Sequence, residues 1–90
     1  MKRPKPPAAA DEISAALTPT QRRLYEIVRD AGDAGILGRA IREKLYAHDP
    51  DGGPASLNIV SLHAMLANKR LWPFRIAIEV ERRIWRVVDL

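Results

Sequence analysis

The chain has 90 residues, 47% of them hydrophobic and 29% charged, and its 15 Lys and Arg against 11 Asp and Glu leave a formal charge of +4. This length predicts one small domain with a modest core, and the lack of cysteine excludes a disulfide framework and any thiolate metal site. No apolar run approaches the ~20 residues of a membrane-spanning helix, and no apolar segment follows the basic N-terminus as in a secretory signal. A cytoplasmic protein without membrane contact is therefore expected, and its basic balance suits either a polyanionic partner or solubility alone.

Residues 1–16 read as a flexible basic tail rich in Pro and Ala. Pro4, Pro6 and Pro7 disfavour helix, and the alanines that follow have no apolar face to bury. The domain is expected over 17–90. Its first predicted helix opens on Thr18-Pro19-Thr20-Gln21, a capping box with proline at the first helical position. Leu24, Ile27, Val28 and Ala31 then share one stripe, and Gly32 suits a left-handed helix end. A second helix is expected from about Gly38 to Tyr46, with Leu37, Ile41 and Leu45 four apart.

Asp49-Pro50-Asp51-Gly52-Gly53 resembles the start of a calcium loop, yet counting from Asp49 puts Gly53 at position 5, Pro54 at position 6 and Val60 at position 12. The oxygen ligands and the glycine that such a loop requires there are missing, so the segment is expected to turn the chain rather than hold a metal. His48 and His63 stand alone, without a zinc constellation. No phosphate loop, nucleophile motif or carboxylate pair suggests catalysis, and neither an enzyme nor a cofactor is expected.

The third predicted helix runs from about Ser56 to Leu71. At ~100° per residue Ile59, Leu62 and Leu66 fall on one stripe, with His63 and Met65 at its edges, and this stripe is expected to be buried. Trp72-Pro73 ends the helix. From Phe74 to Leu90 the period changes to two, and Ile76, Ile78 and Val80 alternate with Ala77 and Glu79, as in a β-hairpin that turns near Glu81-Arg82. Three helices followed by a hairpin make an α+β domain of winged helix-turn-helix form.

In that form the third helix offers its unburied face to the major groove of double-stranded DNA. That face is expected to carry Leu57, Val60, Ser61, Ala64 and Asn68, with Asn58 beside it. Asn58, Ser61, Ala64 and Asn68 are the expected base contacts: Asn pairs with adenine, Ser is permissive, and Ala meets a thymine methyl. Phosphate contacts are expected from Arg39, Arg42, His63, Lys69, Arg70, Arg82 and Arg83. The alternative is a protein-interaction module, in which Leu57, Val60 and Ala64 form an apolar patch for a partner or for a second copy in a homodimer.

The segments LTPTQRRLYEIV, SLNIVSLHAMLANKRL and RIWRVVDL, in this order, resemble the winged-helix output domain of bacterial two-component response regulators. They are also similar to free-standing bacterial or phage proteins of that framework. The likeness covers roughly residues 17–90, without a receiver domain. It rests on Leu17 to Thr20, on Leu62-His63 with Lys69-Arg70, and on Trp85-Arg86-Val87. The chain departs from the pattern at Ile84, where the family carries glycine, and in a third helix poor in arginine. The resemblance implies a transcription regulator whose loop between the second and third helices, here His48 to Ala55, can touch RNA polymerase or another protein.

Overall fold

The computed structural model describes residues 10–49 and 58–90. The Thr18 capping box forms in both directions: the Gln21 amide donates to Thr18 Oγ1 at 3.3 Å, and the Thr18 amide donates to Gln21 Oε1 at 3.2 Å. Helix α2 (Pro19–Asp30) starts there and buries Leu24, Tyr25, Ile27 and Val28. Gly32 adopts the expected left-handed conformation, with φ 66°. Arg29 lies 5.6 Å above the Tyr25 ring and pairs with Asp30 at 2.9 Å. Burial pushes the Tyr25 hydroxyl above its ordinary pKa, and the Arg29 charge partly opposes that shift.

The chain is ordered before the predicted boundary at residue 17. Helix α1 (Ala10–Ala16) precedes α2, so residues 10–16 belong to the folded domain rather than to a tail. The reason is hydrophobic: Ile13 and Leu17 are both buried in the main core, and α1 packs on the helix that begins at Asn58. Arginines donate to the carbonyls at the end of α1, where Ser14 O also accepts from the Leu17 amide. Arg22 donates to Ser14 O and Leu17 O, and Arg70 donates to Ala16 O, supplying donors where a helix end runs short of them.

After α2 a short 3-10 turn leads into strand β1 (Ile36–Leu37), two residues too short to leave a periodic signal in the sequence, and then into helix α3 (Gly38–Leu45). Gly35 makes the entry possible. Its φ of 74° with ψ of −172° is open to glycine but not to L side chains, and a Cβ there would lie 2.8 Å from the Trp85 carbonyl oxygen. Pro50 to Leu57 lies outside the described residues, and with it most of the acidic turn. Helix α4 (Asn58–Leu71) follows, then strands β2 (Ile76–Glu81) and β3 (Ile84–Asp89).

The three strands form one antiparallel sheet in the order β1-β3-β2. Ile36 faces Trp85 across β1 and β3, and Glu81 faces Ile84 at the end of the hairpin. Strand β2 is buried at Ile76, Ala77 and Ile78 but exposed at Glu79, Val80 and Glu81. The strict in-out alternation expected for it is thus broken: three successive residues are buried and the next three exposed, while Trp85, opposite Val80 on β3, is itself buried. The described residues form an α+β arrangement of four α-helices and a three-stranded sheet, in which α2, α4 and the sheet enclose the core. None of the described helices is long and apolar enough to cross a membrane.

Candidate nucleic-acid interface

Helix α4 decides what the domain can present, and its inward face differs from the expected one. Val60, Ala64, Ala67 and Leu71, spaced by four, three and four, are buried at 1%, 3%, 0% and 0% exposure. The expected stripe of Ile59, Leu62 and Leu66 is not the buried one: Leu62 is 44% exposed, and Ile59 and Leu66 are half-buried. Relative to the expectation the helix is rotated by about 140° on a 100°-per-residue wheel. Small side chains explain the rotation. Ala64 and Ala67 let α2 and the sheet approach the α4 backbone closely, whereas Leu62 and Met65 would hold them away.

Two of the four expected base contacts are lost by that rotation. Ala64 lies in the core. Asn68 Nδ2 donates to Ile78 O at 2.9 Å, and the Ile78 amide donates to Asn68 Oδ1 at 2.7 Å. Strand β2 lies at the edge of the sheet, and the Asn68 amide matches the backbone N–H and C=O of Ile78 as a residue of a neighbouring strand would. Its paired donor and acceptor, the feature that suits adenine, are thus occupied inside the protein. Of the apolar patch expected for a protein partner, Val60 and Ala64 are buried, and Leu57 lies outside the described residues.

Asn58 and Ser61 keep their exposure. The outward stripe of α4 is Asn58, Leu62, Met65 and Lys69, again spaced by four, three and four, with Met65 53% exposed. Helical spacing of the large apolar residues puts Leu62 on the inward stripe and Met65 at its edge, whereas both are exposed. The signal available in the sequence was the pair of alanines at 64 and 67, one turn apart, which marks a close-packed face.

The expected phosphate contacts divide into two groups. Arg39 on the first turn of α3, Lys69, Arg82 and Arg83 are exposed. Arg42 and His63 are half-buried, and the Arg70 guanidinium is turned to the end of α1. Arg39, Asn58, Ser61 and Arg83 come together, with Leu37 and Trp85, around an open cleft of 620 Å³ between α3, α4 and the hairpin. A more apolar recess of 320 Å³ continues along the same flank of α4 to Met65, Trp72 and Val80. Ser61 and Trp85 line both.

The hairpin turn itself is strained. Arg82 and Arg83 are its two central residues, and both have positive φ, 53° and 71°. Two-residue turns of this kind favour Asn-Gly, because non-glycine side chains in left-handed conformation cost roughly 1 kcal/mol or more each. Two exposed guanidinium groups are held at the tip despite that cost. Comparison with protein-family models, with curated proteins and with solved structures gives no match.

Proposed function

We propose that this chain is a DNA-binding module of winged helix-turn-helix form, a binding protein rather than an enzyme, which acts in the cytoplasm as a transcription regulator. The observation that carries this reading is the cleft at which Arg39 of α3, Asn58 and Ser61 of α4 and Arg83 of the hairpin converge. Helix α4 lies in the major groove along Asn58, Leu62 and Met65, and the arginines that line the cleft beside it hold the phosphate backbone. The strained Arg82-Arg83 turn supports it, since backbone strain gathers where a side chain has to be presented.

Arg39, Lys69, Arg82 and Arg83 as four phosphate contacts set a slope of log affinity against log salt of about −3.6, hence a roughly hundredfold loss between ~50 and ~200 mM salt. Fluorescence anisotropy on a labelled random-sequence duplex measures this slope. Arg39→Ala with Arg83→Ala lowers its magnitude by nearly 2. An affinity indifferent to salt rules out backbone contact as the basis of binding.

The second reading is a protein-interaction module, favoured by the exposure of Met65, Trp72 and Val80 on one apolar recess. Sedimentation at rising concentration separates the two, with Met65→Glu as the variant, since Met65 is exposed where Val60 is core. Self-association that Met65→Glu abolishes, without duplex binding, selects this reading.

A further inference from the structure

We infer that α4 reads thymine, using Leu62 and Met65 as contacts for the C5 methyl group. This rests on the duplex reading above and names what that surface selects. The outward stripe of α4 has a polar residue at each end, Asn58 and Lys69, and two long aliphatic side chains at its centre, 44% and 53% exposed. In the major groove the apolar feature of a base edge is the methyl of thymine. No arginine lies on that stripe: the helix holds one arginine, Arg70, and its guanidinium donates to Ala16 O on α1. The bidentate arginine-to-guanine pair that reads G·C elsewhere is thus absent from the centre of the outward face.

Leu62 and Met65 are three residues apart on one face, so they reach neighbouring base steps along the groove. The thioether of Met65 is flexible and polarisable, which lets it settle against a methyl group whose direction changes with the step. Neither side chain contributes to the core. Their apolar surface is therefore held in water in the free protein and leaves it on contact with thymine.

The test uses the full chain and a random-sequence duplex pool bound at about 100 mM salt, where backbone contact is retained. The most enriched duplex is then made twice, with thymine and with deoxyuracil, which lacks only the C5 methyl. Each contacted methyl is worth about fourfold in affinity, so replacing two weakens binding by roughly 15-fold. Leu62→Ala with Met65→Ala binds both duplexes alike and keeps the salt slope of the unaltered chain. Equal affinity of the unaltered chain for the two duplexes, with the salt slope intact, overturns the thymine inference and leaves the duplex reading standing. So does salt-dependent binding with no sequence enriched from the pool. Absence of salt-dependent binding to any duplex removes both. If the double variant fails to fold, the thymine-to-uracil comparison on the unaltered chain still decides.

Discussion

Asn68→Ala tests the orientation of α4 directly, because the face that holds Asn68 is either occupied by the sheet or open to a ligand. The asparagine makes two hydrogen bonds with the backbone N–H and C=O of one residue, Ile78, at 2.7 and 2.9 Å, in a partly buried setting. Alanine leaves the Ile78 N–H and C=O without these partners, at ~1–3 kcal/mol for each fully buried group. Water reaches a half-buried edge in part, so the lower end applies and the total is roughly 2 kcal/mol. For a domain of this size that lowers Tm by about 8–16 °C, readable by thermal circular dichroism. Asn68→Asp retains the acceptor for the Ile78 amide but sets a carboxylate against the Ile78 carbonyl. It therefore recovers only part of the loss at neutral pH, and more in acid, where the protonated carboxyl can donate. Base preference, measured on surviving folded protein, does not change. A Tm within ~2 °C of the unaltered chain, together with a changed base preference, refutes the packing of Asn68 on β2.

Replacing the hairpin turn by Arg82→Asn with Arg83→Gly relieves the positive-φ strain and raises stability by roughly 1 kcal/mol, about 4–8 °C in Tm, while duplex affinity falls and the salt slope shrinks by nearly 2. Gly35→Ala forces a Cβ against the β3 backbone at a backbone conformation that only glycine adopts easily, and urea denaturation should show a loss of ~2 kcal/mol or more. Ile13→Ala, in the helix placed before the expected boundary, should cost about 2 kcal/mol or more as a core residue; a change near zero in the same assay contradicts the docking of α1. Tyr25 has a raised pKa when folded, so its contribution is complete below the unfolded value of 10.0 and is lost as pH rises through the folded value. Tyr25→Phe removes that alkaline loss, seen as a difference between the two stability-versus-pH curves above pH ~10.

Local features were legible where the chemistry acts within a few residues. The Thr18 box and the Gly32 end bounded α2 correctly, because a capping side chain and a left-handed glycine each act on backbone one turn away. Trp72-Pro73 stopped α4 at Leu71 as expected. The hairpin, its two strands and its turn at Arg82-Arg83 were also readable from period and charge. Of the candidate interface, Asn58, Ser61, Arg39, Lys69, Arg82 and Arg83 keep exposed positions.

Local chemistry along the chain therefore sets a series of bounded elements and an excess of basic side chains. Tertiary structure alone decided which side of α4 faces inward. That helix is apolar nearly all round, so two stripes compete and local hydrophobicity does not separate them. The choice falls to close packing: Ala64 and Ala67 admit α2 and the sheet where larger side chains do not. Pairings between distant residues lay equally beyond local reading. Strand β1 exists only because β3 pairs with it, α1 is held by Arg22 and Arg70, and Asn68 meets Ile78 only once β2 folds back. Each joins groups that chain order keeps apart, and no local propensity encodes them.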